Sequence, residues 1–129
     1  MNRRPVIAVL DDEPQLRKAL ERLLAVNGFS VVPFERGEDV IAAHSRQTID
    51  CLLLDLHMSG VNGFDILESF AARDIRTPVI VLTGHGEEDT ASRVLALGAS
   101  AYLTKPVDES ALLAALASAL GELQTDPRA

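Results

Sequence analysis

Five short apolar runs, each separated from the next by a helix-like stretch, constrain this chain more than any other feature. Val6-Ile7-Ala8-Val9-Leu10 is the first, Phe29-Ser30-Val31-Val32-Pro33-Phe34 the second and Cys51-Leu52-Leu53-Leu54 the third. Val79-Ile80-Val81-Leu82 and Ala101-Tyr102-Leu103 complete the set. Runs one, three and four are apolar throughout, as expected of parallel strands covered on both faces. Run two contains Pro33, which has no N–H to give to a ladder and so belongs on an edge strand.

The intervening segments read as helices. Pro14 stands where a first-turn proline is tolerated, and Leu16, Leu20, Leu23 and Leu24 trace one face before Gly28 stops the helix. Phe64, Leu67, Phe70 and Ala71 mark another, with Pro78 ahead of the next strand. Val94, Leu95 and Leu97 end at Gly98, a C-terminal glycine, and a last helix is predicted from about Glu109 to Leu120. Strand–helix alternation implies a mainly parallel α/β sheet with right-handed crossovers. An edge-placed second strand favours the flavodoxin-like order 2-1-3-4-5, a (βα)5 three-layer sandwich. Strands one and three are then neighbours, and any ligand binds at their carboxyl ends.

Composition narrows the function classes. A chain of 129 residues, 47% of them apolar, suits one compact domain with a real core. No apolar run approaches the ~20 residues that span a bilayer. The stretch after Arg3-Arg4 is too short for a signal-peptide core, so a cytoplasmic protein is expected. The net charge of −7 disfavours nucleic acids and anionic membranes as partners. The single Cys51 cannot form an internal disulfide and, within its apolar run, reads as buried and structural.

Polar residues gather at the predicted strand ends. Strand one leads into Asp11-Asp12-Glu13, strand three into Asp55, strand four into Thr83-Gly84 and strand five into Lys105-Pro106. With adjacent strands about 4.8 Å apart, Asp11, Asp12 and Asp55 should crowd into one crevice. At about 5 Å and an effective dielectric of about 20, each carboxylate pair repels by about 3 kcal/mol. A cation is needed, and all-oxygen ligands with few carboxylates suit Mg²⁺ or Mn²⁺. Capping of the first helix would account for one aspartate but not for polar residues at four strand ends. Lys105, one of only two lysines among twelve basic residues, can neutralise a carboxylate or bind a phosphoryl oxygen.

Leu54-Asp55-Leu56-His57-Met58-Ser59-Gly60-Val61-Asn62-Gly63 resembles the phosphoacceptor segment of bacterial two-component receiver domains. Asp11-Asp12-Glu13, Leu82-Thr83-Gly84-His85-Gly86 and Thr104-Lys105-Pro106 are similar to the other receiver motifs in order and spacing. The resemblance runs from about Pro5 to Gly121, and the Leu-His-Met and Thr-Gly-His-Gly segments look like the FixJ/LuxR-type branch. It implies a receiver domain over residues 4–121 of the CheY-like superfamily, with a short tail at 122–129.

The resemblance also implies roles. Asp55 would be the phosphoacceptor; Asp12, Asp55 and the His57 carbonyl would ligate Mg²⁺, with Asp11 acting through water. Lys105 and Thr83 would contact the phosphoryl group, and Thr83 with Tyr102 would form the switch. Ser59 departs from the proline usual in the family, which implies a loop of altered stiffness. The expected partner is a sensor histidine kinase or phosphotransfer protein, with a phosphorylation-dependent homodimer as one output. The domain would catalyse only its own phosphorylation and dephosphorylation.

Two other readings stay open. One is a binding-only pseudo-receiver, which the presence of Asp12, Asp55 and Lys105 disfavours. The other is a small aspartate-nucleophile phosphatase, which expects Asp-x-Asp after strand one, whereas Asp11 and Asp12 are contiguous. His57 and His85 are expected to flank the phosphoryl group, and a transition-metal site there is the lesser alternative. His44 is expected to be a solvated helix residue. Only about eight residues follow the predicted last helix, too few for a helix-turn-helix effector.

Overall fold

A computed structural model describes residues 4–58, 62–84 and 88–124. In chain order the elements are β1 (Val6–Leu10), α1 (Pro14–Val26), β2 (Ser30–Phe34), α2 (Gly37–Ala43) and β3 (Cys51–Asp55). They continue with α3 (Gly63–Ala72), β4 (Val79–Thr83), α4 (Glu88–Ala96), β5 (Ala101–Thr104) and α5 (Glu109–Gln124). All neighbouring strands pair in parallel, in the order β2-β1-β3-β4-β5. This is the flavodoxin-like α/β arrangement the apolar runs predict, and Pro33 lies exposed on the edge strand, in register with Val9.

Side-chain alternation along the strands divides the core into two layers. Ile7, Val9, Cys51, Leu53, Ile80 and Leu82 face Leu20 and Leu24 of α1 and Leu112 and Leu116 of α5. Ala8, Leu10, Leu52, Leu54, Val79 and Val81 face the opposite layer, built from Val40, Ile66, Phe70 and Val94 on α2, α3 and α4. β3 and β4 are buried along their whole length, which explains their unbroken apolar sequences. Cys51 is fully buried, and desolvation pushes its thiol up to about 12, so it acts as a small apolar residue.

Three helices end in the same six-to-one motif, with a residue of positive φ after the cap. Phe29 N–H donates to Leu24 O behind Gly28, Ile75 N–H to Phe70 O behind Asp74, and Ala99 N–H to Val94 O behind Gly98. Gly28 and Gly98 are where the sequence predicts helix stops; Asp74, at φ 55°, fills the same role with a side chain. Strands three, four and five each run one residue further than their apolar runs, because the ladder continues through polar residues. Asp55 is in register with Leu82, and Thr83 with Thr104. α5 runs to Gln124, beyond the predicted end near Leu120.

His44 corrects an expectation. It is half-buried rather than solvated. Its Nδ1 lies 3.0 Å from Val40 O and its Nε2 3.0 Å from Thr77 Oγ1, while its ring packs edge-on against Phe70. The imidazole thereby ties the end of α2 to α3 and to the approach to β4.

Candidate phosphoryl and metal site

The carboxyl ends of β1, β3, β4 and β5 meet at one edge of the sheet. Strand periodicity sets which side each residue serves. Asp11 follows Val9, Asp55 follows Leu53 and Lys105 follows Leu103 at two-residue spacing, so all three continue the α1/α5 layer. Thr83 and Tyr102 belong to the other layer, since Val81 is in register with Tyr102 and Thr83 stands two residues beyond it.

Carboxylate oxygens of Asp11, Asp12 and Asp55 lie within 4.8 Å of one another. Asp11 is 1% and Asp55 5% exposed, while Asp12 faces solvent. At that spacing each ionised pair repels by about 3 kcal/mol for an effective dielectric of about 20. Lys105 Nζ reaches both buried carboxylates, 3.3 Å from Asp11 Oδ2 and 3.4 Å from Asp55 Oδ1. That ammonium is a single positive charge shared by the two buried carboxylates. The donors are all hard oxygens on a rigid sheet edge, a set that fits a small divalent cation better than a soft metal.

Asp55 feels this field directly. Burial and then the Asp11 carboxylate push its acid up from the ordinary range. Lys105 and the His57 N–H, which donates to Asp55 Oδ1 at 3.2 Å, pull the other way. The balance favours any change that brings positive charge to Asp55.

Loop chemistry holds these groups in place. Asp11 does not cap α1: the N-cap is Glu13, with no side-chain cap bond. Asp11 Oδ1 instead accepts from the Glu13 N–H at 2.8 Å, a local turn that keeps the carboxylate at the strand end. Asn62 caps α3, its Oδ1 accepting from Asp65 N–H at 3.0 Å. Gly63 then packs so closely that a Cβ would stand 2.8 Å from the Leu56 Cα. That contact seats the far end of the loop after Asp55 against the strand.

Asp11, Asp12, Asp55 and Lys105 are thus brought together as the sequence predicts. Thr83 is fully buried at the end of β4, Tyr102 is half-buried on β5, and His57 is exposed beside Asp55. His85, Gly86 and Ser59 lie outside the described residues. Sequence reasoning missed Arg17, whose Nη1 donates to Asp11 O at 2.7 Å. The available signal was a charge on the same stripe of α1 as Leu20 and Leu24.

Comparison with known proteins agrees with this geometry. The sequence profile of the response regulator receiver domain matches residues 7–117. The DNA-binding transcriptional regulator NtrC of Salmonella typhimurium is 37% identical over 127 residues, covering 97% of this chain and 27% of the relative. The transcriptional regulatory protein FixJ of Azorhizobium caulinodans is 33% identical over 115 residues, covering 89% of this chain and 54% of the relative. The chain therefore spans between about a quarter and about half of the curated relatives it matches. Among solved structures, FixJ-N superposes with a TM-score of 0.87 at 28% identity, covering 97% of this chain and all of that one. A receiver domain from Clostridium thermocellum gives 0.85 at 30% identity, covering 93% and 97%. Among the described residues no helix is long and apolar enough to cross a membrane. With its fold, its acidic crevice and these relatives in agreement, the chain belongs to the response regulator receiver domain family, the signalling modules of two-component systems.

Proposed function

We propose that Asp55 accepts a phosphoryl group from a histidine kinase or phosphotransfer protein and that this modification switches partner binding. The observation that carries the reading is the placement of Asp55, buried beside Asp11 and Asp12 with the Lys105 ammonium 3.4 Å from its Oδ1. A carboxylate is an established nucleophile for forming an acyl phosphate. Asp55 Oδ attacks phosphorus, the bond from phosphorus to the donor imidazole breaks, and the donor nitrogen keeps the electron pair. Lys105, 3.4 Å from Asp55 Oδ1, would follow the phosphoryl oxygens, and the His57 N–H would hold Asp55 in line.

Asp12, Asp55 and the His57 carbonyl would hold Mg²⁺ directly, with Asp11 holding it through water and Mn²⁺ as a substitute. When bound, the ion supplies charge stabilisation to the phosphoryl oxygens. A groove of about 580 Å³ between α1 and the link from β5 to α5 supports docking of a donor protein. It is lined by Leu16, Leu20, Leu23, Pro106 and Val107 and opens beside Lys105.

The switch would run through Thr83 and Tyr102. Their shared sheet face, and the packing of Tyr102 against the layer that contains Val94 of α4, support coupling from the phosphoryl site to α4 and β5. Dimerisation of the phosphorylated form through this face is one output, and Leu95 stands exposed on α4. His57 and His85 would tune water access to the acyl phosphate; unchanged dephosphorylation rates in His57→Ala and His85→Ala would contradict that role. The domain would span residues 4–121, act in the cytoplasm and turn over no external substrate. A phosphotransfer screen against candidate kinases, with and without Mg²⁺ and with Asp55→Ala as control, tests the whole reading. Labelling that ignores Mg²⁺ or survives Asp55→Ala would overturn it, and no labelling at all would favour a binding-only pseudo-receiver.

A further inference from the structure

Arg17 occupies a position that ordinary helix chemistry disfavours. Its N–H makes an early bond of α1, to Glu13 O at 3.0 Å, so its cation lies near the end where the helix dipole repels positive charge. It shares a stripe with Leu20 and Leu24, the buried residues of α1, and its side chain is only 11% exposed. A guanidinium so well covered needs strong partners. Its partners lie outside the helix: Nη1 donates to Asp11 O at 2.7 Å, and Nη2 lies 3.2 Å from Glu35 Oε1. Glu35 is 71% exposed, so that pair contributes little by itself. The short bond to Asp11 is the one that matters.

That bond completes the restraint of Asp11. Its N–H donates to Phe34 O at 3.3 Å, its Oδ1 accepts from Glu13 N–H at 2.8 Å, and its Oδ2 meets Lys105 Nζ at 3.3 Å. Arg17 takes the remaining polar atom, the backbone oxygen. Because Asp11 O and the Asp12 N–H belong to one rigid peptide plane, gripping the oxygen sets how the chain leaves for Asp12. Asp12, the exposed member of the acidic trio, follows directly on that peptide.

We propose that Arg17 is a positioning residue for the divalent cation, orienting the Asp11–Asp12 peptide so that both carboxylates face the crevice before the ion arrives. The proposal rests on the metal reading above. Its contribution is geometric, since Arg17 grips the Asp11 backbone oxygen rather than a carboxylate. Groups that orient metal ligands typically govern affinity by about tenfold or more. Lysine retains the charge but not the planar fork, so it cannot hold two acceptors in the same way.

The test is a Mg²⁺ titration of the full chain, followed by backbone amide shifts, beside urea unfolding of the same variants without metal. Arg17→Met is expected to weaken Mg²⁺ binding about tenfold and Arg17→Lys about threefold. Val40→Ala, a truncation in the opposite layer, is expected to lose stability with unchanged Mg²⁺ affinity. Should Arg17→Met not fold, Arg17→Lys carries the test alone. Affinities of the folded Arg17 variants within about twofold of the parent would overturn the inference and leave Arg17 as a staple between α1 and the β2–α2 link. A parent that bound no Mg²⁺ would remove the metal reading and the inference with it.

Discussion

Lys105 Nζ stands 3.4 Å from Oδ1 of Asp55, and the same ammonium reaches Asp11 Oδ2 at 3.3 Å. One cation thus spans two buried carboxylates at the carboxyl ends of different strands. Lys105→Met removes it and leaves Asp11 and Asp55 facing each other at 1% and 5% exposure. We expect a loss of about 1–2 kcal/mol in urea unfolding without divalent cation, with much of it recovered at saturating Mg²⁺. Recovery distinguishes lost charge compensation from lost packing.

The elevated acid of Asp55 has a defined sign in stability. A carboxyl whose folded value is raised contributes stability below its unfolded value and loses that contribution as pH rises through the folded value. Asp55 therefore opposes folding at neutral pH in the absence of a cation. Asp55→Asn is expected to stabilise the metal-free chain at pH 7, on the order of 1 kcal/mol, and the gain should vanish in acid. Chemical denaturation of both proteins across that pH range checks it. A gain independent of pH would contradict the electrostatic cause.

Gly63 has its own expected outcome. A Cβ there would lie 2.8 Å from the Leu56 Cα and 3.2 Å from the Leu56 oxygen, and neither backbone atom can step aside cheaply. Gly63→Ala should cost about 1–3 kcal/mol and disturb amide signals around Asp55 more than those of α5. Thermal unfolding with amide shift mapping measures both.

The sheet was legible because its signals are local and redundant. Three continuous apolar runs announce strands covered on both faces, and Pro33 alone removes run two from the interior of the sheet. Asp11, Asp12, Asp55 and Lys105 could be placed together because each lies at the same end of a parallel strand. Other features depend on long-range contacts that no local pattern encodes. His44 reads as solvated because Phe70 and Thr77, which meet its ring, lie far along the chain. Asp74 in a left-handed turn resembles any surface aspartate, whereas Gly28 and Gly98 announce themselves. Arg17 reads as one more charge on an amphipathic helix until the chain brings Asp11 O and Glu35 to its two nitrogens.

Asp55 is expected to accept a phosphoryl group in a cation-dependent way. Incubating the chain with acetyl phosphate and Mg²⁺, then mapping the modified residue by mass spectrometry, tests it without a cognate kinase. A single added phosphoryl group on Asp55, lost on chelation of Mg²⁺ during labelling and absent in Asp55→Ala, is the predicted result. Modification at another residue, or equal labelling without divalent cation, would contradict that role for Asp55.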